Sequence, residues 1–167
     1  MAKPDLNDSQ RLSAESLALI DVEVAKYPVD QKQSAVMGAL RIAQTECGWL
    51  KPELIEYVAD YLEMPAIAAY EVATFYNMYD TQRPGRHKIT LCTNLPCMLM
   101  GAGELGEYLK KKLEIGFGET TEDGRFTLKE GECMGACGDA PMCLHNNHVM
   151  HTHLTTEKVD ELLETLK

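Results

Sequence analysis

The spacing of hydrophobic positions in the first half of the chain has the three-to-four-residue period of amphipathic helices. Asp30 and Gln33 are spaced as a capping box for one of these helices, and Gly48 is suited to its end. Pro52 and Pro65 are suited to the first positions of two further helices. Short connections between short helices predict a small helical bundle. The predicted helices lie around residues 13–26, from 30 to 47, from 52 and from 65.

The pattern changes after a polar stretch that contains the turn signal Pro84-Gly85. Strands with β-branched residues, a helix between them, a hairpin around Asn146-Asn147 and a final amphipathic helix are predicted beyond it. This order predicts a parallel strand pair followed by an antiparallel hairpin, and therefore a mixed four-stranded sheet with two helices in a thioredoxin-like arrangement. The predicted strands are residues 87–93, 126–130, 142–145 and 148–152, and the predicted helices are residues 101–113 and 157–166.

The predicted fold class is therefore α+β, with an N-terminal helical bundle followed by a thioredoxin-like domain. The predicted bounds are a frayed N-terminus at residues 1–10, the bundle at 11–80, a linker at 81–87 and the second domain at 88–167.

The chain is acidic, and this narrows the classes of partner. Its formal net charge is −10 over 167 residues, with a pI of about 4.9, which argues against a nucleic-acid partner. No apolar run approaches the roughly 20 residues that span a bilayer, so no direct membrane span is expected. The N-terminus has neither a hydrophobic signal region nor an Arg-rich presequence, so a cytoplasmic location is expected.

Four cysteines carry the candidate chemistry. Cys92 and Cys97 are spaced as C-x4-C, Cys133 and Cys137 as C-x3-C, and 35 residues lie between the pairs. Cys92 ends a predicted strand and Cys97 lies in the loop that follows, whereas the second pair follows the next parallel strand. Both pairs are therefore expected at one edge of the sheet. Two pairs of thiolates suit a two-iron cluster, in which each iron takes two protein sulfurs.

Other uses of the same cysteines stay open on spacing alone. A structural zinc site also takes four cysteines, although its usual knuckles are tighter C-x2-C loops. A thioredoxin-type dithiol needs C-x-x-C, which neither pair has. Disulfides are disfavoured by the expected reducing compartment.

The histidines are weaker candidates for metal binding or catalysis than the cysteines, and one aromatic residue is assigned to the core. His145, His148, His151 and His153 crowd near the C-terminus, but alternation along a strand predicts that His151 and His153 share one solvent-facing side. Neither metal ligation nor catalysis is expected of them, because four cysteines already complete a cluster and no nucleophile–base set is evident. Phe75 is expected in the core of the helical bundle.

Several segments of the chain resemble one protein family. The sequence closely resembles the thioredoxin-like [2Fe-2S] subunit of NADH:quinone oxidoreductase (respiratory complex I), the NuoE family, from about residue 30 to the C-terminus. The segments that carry the resemblance are ECMGACGDAPM at residues 132–142, EVATFY at 71–76, GETTEDGRFTL at 118–128 and RPGRH at 83–87.

The resemblance implies a redox role for the chain. It implies one [2Fe-2S] cluster ligated by Cys92, Cys97, Cys133 and Cys137. It also implies a non-catalytic subunit in the peripheral arm of complex I, on the cytoplasmic face of the inner membrane. Its partner there is the flavoprotein subunit that binds NADH and FMN, and the helical bundle at residues 11–80 is expected to dock onto this partner. No G-x-G-x-x-G follows a predicted strand here, so FMN and NAD are expected in the partner.

Three other roles remain compatible with the sequence: a subunit of an NAD-linked hydrogenase or formate dehydrogenase, a zinc-stabilised docking module, and a free-standing ferredoxin. The helical bundle argues against the last, because a free shuttle has no need of a docking extension. Cys143 departs from the family, which generally has an apolar residue there. It is predicted to be a small buried hydrophobe instead of a substitute ligand, and Cys47 is also predicted in a core.

Overall fold

The computed structural model describes residues 12–166, so the predicted frayed N-terminus at residues 1–10 lies outside the described residues. The described chain forms two compact units that divide between Arg83 and Pro84. This division falls within the predicted linker at residues 81–87, and the function assigned to each unit stays a prediction. None of the helices in the described part is long and apolar enough to cross a bilayer.

The first unit is helical and is built around its own apolar core. A 3₁₀ segment, Val29–Ala35, lies between its first two α-helices, α1 (Ala14–Val24) and α2 (Val36–Cys47). The core draws on every helix and includes Ile20, Leu40, Ile55 and Ala69, each at most 1% exposed. Within residues 12–83 the remaining α-helices are α3 (Pro52–Tyr61) and α4 (Ala66–Phe75).

The ends of these helices follow local backbone chemistry. Ser13 caps α1, because its hydroxyl accepts a hydrogen bond from the Ser16 N–H at 3.2 Å, which satisfies one of the free N–H groups of the first turn. Gly48 ends α2 as predicted, in a left-handed conformation with φ of 82° that glycine adopts without strain. Pro52 is the first residue of α3, also as predicted. Gly48 and Pro52 show that helix ends could be predicted from the sequence where the local backbone conformation favours one residue type.

Two predicted helix starts are wrong. Asp30 does not cap α2, which begins at Val36; Asp30 lies in the 3₁₀ segment, where Gln31 has a non-helical φ of −117° that separates it from α2. Pro65 is the N-cap residue of α4 and not its first helical residue. The start of α2 was misplaced because the hydrophobic pattern continues through the 3₁₀ segment.

The second unit contains the predicted mixed four-stranded sheet. Its strands are β1 (His87–Cys92), β2 (Phe126–Gly131), β3 (Cys143–His145) and β4 (Val149–His151), in the order β2-β1-β3-β4. β1 pairs with β2 in parallel and with β3 antiparallel, and β3 and β4 form the antiparallel hairpin. A short helix, α5 (Leu95–Leu99), was not predicted. Within residues 84–166 the remaining α-helices are α6 (Ala102–Leu113) and α7 (Thr156–Thr165).

Burial along β1 explains why this strand is central. Every residue from Lys88 to Cys92 is buried. Ile89 and Leu91 belong to an apolar core that also includes side chains from α6 and α7. The hairpin turns at Asn146 and Asn147, both with positive φ (49° and 62°). The His148 N–H closes this turn on the His145 carbonyl, and a positive φ at both central residues is what a type I′ turn requires.

Candidate metal centre

The ends of three strands meet at the edge of the sheet where the cysteines were predicted. Cys92 ends β1 and lies opposite Gly131, which ends β2. The Thr93 N–H donates to the Gly131 carbonyl at 2.9 Å, and the Cys92 N–H donates to the Met142 carbonyl at 3.0 Å. The chain segments that leave β1 and β2 and that enter β3 are thus held side by side.

The first cysteine pair is buried beneath this edge. Cys92 and Cys97 are 3% and 2% exposed, and they pack with Ala102, Ala140 and Met142 in a small apolar cluster. Cys97 lies on α5 and not in the predicted loop, so that expectation is corrected. Asn94 begins this short helix, and a proline in its first turn suits a helix start. The helix turns the Cys97 side chain inward toward Cys92.

Burial also sets the protonation of Cys97. It raises the pKa of the Cys97 thiol to about 11, and a hydrogen bond with Cys92 and the nearby Cys137 act in the same direction, because each disfavours the charged thiolate. The Cys92 thiol donates to the Glu132 carbonyl at 3.3 Å. Without a bound metal the Cys97 thiol is therefore neutral, whereas a bound metal ion would hold it as a thiolate.

The second pair is exposed on the loop that follows β2. Cys133 and Cys137 are both exposed, with Gly135 between them in a left-handed conformation at φ of 73°. Cys137 opens a 3₁₀ turn that ends at Asp139. The Asp139 carbonyl accepts the His153 N–H at 2.8 Å, which ties this turn to the segment after β4.

Cys97 thus interacts with two of the other predicted ligands, Cys92 and Cys137. Cys92 and Cys97 are hydrogen-bonded, and Cys137 is close enough to Cys97 to influence its pKa. Cys133 precedes Cys137 on the same loop, next to Glu132, which contacts Cys92. Two thiol pairs at one sheet edge have the donor chemistry of a two-iron cluster.

Within residues 12–166, no group of three or more His, Cys, Asp or Glu side chains is placed to hold a metal ion. A structural zinc site and a two-iron cluster both take four thiolates, and the metal content of the purified protein separates them.

An exposed apolar surface adjoins the buried pair. We define the α5 patch as four residues on or next to the helix that carries Cys97: Leu95, Met98, Leu99 and Met100, which are 69%, 47%, 77% and 61% exposed. Such a cluster of exposed large apolar side chains is typical of a surface that contacts another protein. Sequence reasoning missed it because residues 95–100 were predicted as a loop. The unbroken apolar run there was the available signal.

The remaining cysteines are placed as predicted, in cores. Cys143 is 1% exposed in β3, and burial raises the pKa of its thiol to about 12. It packs among the apolar side chains of the second unit. Cys47 is half-buried at the end of α2 and packs against the core of the first unit.

Two predictions about other residues are wrong. His151 and His153 do not share one face of a strand, because β4 ends at His151 and His153 has a left-handed φ of 49° beyond it. The His153 ring is 3.3 Å from the Asp139 carboxylate. Phe75 is not in the core: its side chain is 81% exposed at the end of α4, with its ring against that of Tyr76.

A mixed four-stranded sheet that bears helices and presents paired cysteines at one end defines a thioredoxin-like iron–sulfur protein. The chain belongs to the thioredoxin-like [2Fe-2S] ferredoxin family, whose model matches residues 20–167. Membership of this family implies an iron–sulfur cluster.

Its relatives are named as subunits of NADH-oxidising enzymes. The chain is 45% identical over 150 residues to the E subunit of the NADH-quinone oxidoreductase of Rickettsia felis, and the match covers 89% of each chain. It is 39% identical over 154 residues to the mitochondrial NADH dehydrogenase [ubiquinone] flavoprotein 2 of Dictyostelium discoideum, covering 92% of this chain and 62% of that protein. The resemblance drawn from the cysteine segments is thus confirmed.

A solved structure supports the fold alone. A chain of an NAD+-reducing [NiFe]-hydrogenase in the H2-reduced state superposes with a TM-score of 0.65 at 22% identity, covering 76% of this chain and 22% of that one.

Proposed function

We propose that this chain is the electron-transfer iron–sulfur subunit of an NADH:quinone oxidoreductase. Its [2Fe-2S] cluster would exchange one electron with the FMN of an adjacent flavoprotein subunit that binds NADH. The observation that carries the proposal is the pair of dithiols at one sheet edge, Cys92 with Cys97 and Cys133 with Cys137, in a chain 45% identical to a subunit with that enzyme name. The hydrogenase likeness, at 22% identity, does not extend to function.

The proposed ligands have distinct tasks in holding the group. Cys92 and Cys97 would bind from the buried side, where their apolar surroundings exclude water. Cys133 and Cys137 would close the site from the exposed loop, whose left-handed turn at Gly135 is a conformation that glycine adopts at no steric cost. When bound, a cluster of this kind takes up and releases single electrons at a potential set by its surroundings.

The α5 patch supports docking of the flavoprotein partner beside the candidate ligands. Its four exposed apolar side chains flank Cys97, so a partner bound there would cover the apolar surface and approach the buried cysteine pair. Ile67 and Phe75, 68% and 81% exposed on α4, are proposed as the docking residues of the helical unit.

In this proposal the chain supplies a redox centre and no complete active site. NADH oxidation, and the binding of FMN and NAD, are assigned to the partner. Because quinones dissolve in the bilayer, the assembly is proposed to lie at the inner membrane with this chain in its peripheral arm on the cytoplasmic face.

Metal content and spectroscopy test the assignment of the cofactor. Anaerobically purified protein should contain about two irons per chain and give an S = ½ EPR signal only after reduction with dithionite. Serine at any of Cys92, Cys97, Cys133 or Cys137 should reduce the iron content, whereas Cys47→Ala should not. One zinc per chain with no EPR signal would establish a structural docking module in place of an electron carrier.

A binding experiment tests the proposed partner surface separately. Leu99→Asp places a charge in the α5 patch, and Val149→Asp makes the same kind of change on the edge strand β4, where Val149 is 50% exposed. Loss of co-purification with the flavoprotein subunit is expected for Leu99→Asp alone, with normal iron content in both variants. Equal binding by the two variants would exclude the α5 patch as the docking surface.

A further inference from the structure

Three histidines on one face of the sheet join the β3–β4 hairpin to β1. His87 begins β1, His145 ends β3 and His151 ends β4. Nδ1 of His87 lies 3.1 Å from Nε2 of His145, and the ring centroids of His145 and His151 are 6.4 Å apart. We call these three residues the histidine trio. Because each comes from a different strand, their contacts depend on the hairpin staying paired with β1.

The contact between His87 and His145 constrains their protonation. Their nitrogen–nitrogen distance of 3.1 Å is that of a hydrogen bond, which needs an N–H on one ring and a lone pair on the other. If both rings are imidazolium, two N–H groups face each other and the contact becomes repulsive. His151 adds a second constraint: its Nε2 is buried with no hydrogen-bond partner among the described residues. A proton bound there would have no acceptor.

We propose that the histidine trio is an acid-sensitive clasp, which holds the β3–β4 hairpin on β1 only while His87 and His145 share a single bridging proton. When both facing nitrogens, Nδ1 of His87 and Nε2 of His145, carry a proton, the hydrogen bond is lost and the hairpin is released. The Met142 carbonyl, just before β3, accepts the Cys92 N–H, so release of the hairpin extends to the sheet edge that carries the cysteines.

The surroundings of His145 favour its neutral state. Burial lowers the pKa of His145, and charge on His87 and on His151 lowers it further. The guanidinium of Arg125 lies 4.6 Å from the centroid of the Phe126 ring, which His87 also contacts. Phe126 belongs to the apolar core of the second unit, to which helices α6 and α7 also contribute side chains. The His148 N–H donates to the His145 carbonyl at 3.0 Å, while the His148 side chain is exposed.

The direction of the pH effect follows from these groups. A histidine whose pKa is lowered in the closed state binds protons better when the hairpin is open. The hairpin is therefore fully stable above the ordinary histidine pKa of about 6.5, and it loses stability as the pH falls below that value. The hairpin loses no further stability once the pH has fallen below the lowered pKa that His145 has in the closed state.

Hydrogen exchange on the full-length, cluster-loaded protein tests the clasp. Between about pH 7.5 and about pH 5.5, protection of the hairpin amides, corrected for intrinsic exchange, should fall by up to about tenfold per histidine. In His145→Gln the fall should be less than about half as large, whereas the matched control His148→Gln should behave like wild type. Visible absorbance verifies that the cluster persists in every sample.

Three outcomes would overturn the proposal. The first is an equal pH dependence in wild type and His145→Gln. The second, which does not need the variant to fold, is NMR titration of the wild-type His145 ring at the pKa of free histidine. The third is hairpin protection at neutral pH that rises with added Zn²⁺ and falls with EDTA, because this would make the trio a metal site.

Discussion

Substitutions at Cys143 test whether this residue is a buried core thiol or a cluster ligand. Its side chain is 1% exposed in β3, opposite Leu91 of β1 on one side and His151 of β4 on the other. It also follows Cys137 closely in the sequence, near enough to invite a role as a substitute ligand. Cys143→Ala and Cys143→Ser distinguish these roles, because they change packing and polarity differently.

The expected costs follow from the burial of the sulfur. Cys143→Ala removes one buried apolar atom and leaves a small cavity, which together should lower the free energy of unfolding by about 1–2 kcal/mol. Cys143→Ser leaves a smaller atom in the same place but buries a hydroxyl among apolar side chains, which should cost about 1–3 kcal/mol more than alanine does. The serine variant should therefore be less stable than the alanine variant, although it is closer in size to cysteine.

Urea unfolding and iron analysis of the anaerobically purified protein measure both effects. Each Cys143 variant should keep about two irons per chain and an unchanged visible spectrum. The comparison variant Cys137→Ala, at an exposed thiol, should lose iron. The reasoning is refuted by loss of iron in Cys143→Ala, or by a serine variant as stable as the alanine variant.

Three further predictions concern the helical unit. The Phe75 side chain is 81% exposed, so Phe75→Ala should change the free energy of unfolding by at most about 1 kcal/mol, and a loss above about 3 kcal/mol in urea unfolding would indicate a buried ring. Gly48 has a φ of 82°. Gly48→Ala should therefore cost about 1 kcal/mol, and an unchanged melting temperature would contradict this strain. Hydrogen bonds from Ser16 and from Ser13, whose N–H lies 2.9 Å from the Glu46 carboxylate, hold the pKa of Glu46 below its usual 4.5. The carboxylate therefore stabilises the fold above that value and ceases to do so as the pH falls through the lowered pKa. In acid titrations followed by far-UV circular dichroism, Glu46→Gln should reduce this dependence, and an identical profile would count against the interaction.

The sheet was predictable because its signals are local and agree with one another. β1 is a run of apolar and β-branched residues that the structure buries, and Asn146-Asn147 supplies both positive-φ residues of the hairpin turn. A strand, a helix and a second strand in this order also favour a parallel pair, since such a connection packs back onto the sheet. Strand type, order and hairpin position therefore followed from the sequence without knowledge of distant contacts.

Helix α4 shows why the outward side of an apolar helix could not be predicted. Hydrophobic residues surround it almost completely, so their period does not indicate one face. In the structure its buried residues are Ala69 and Ala73, whereas Ile67 and Phe75 are exposed. Small side chains allow α4 to approach its neighbours closely and leave the large ones outside. Size, and not hydrophobicity, decides the packing face here, and the exposed large residues become candidates for contact with a partner.

The cysteines show the same limit at the candidate site. Their place at the sheet edge followed from strand ends, because the carboxyl ends of parallel neighbours lie together. Their unequal exposure did not, because it depends on α5, which turns Cys97 into the apolar cluster around Cys92, and on a loop that leaves Cys133 and Cys137 in solvent. One pair is thus positioned by the core of the fold and the other by a loop. The spacing of the four cysteines in the sequence does not reveal this difference in exposure. The difference nevertheless determines which pair is shielded from water and which is open to it.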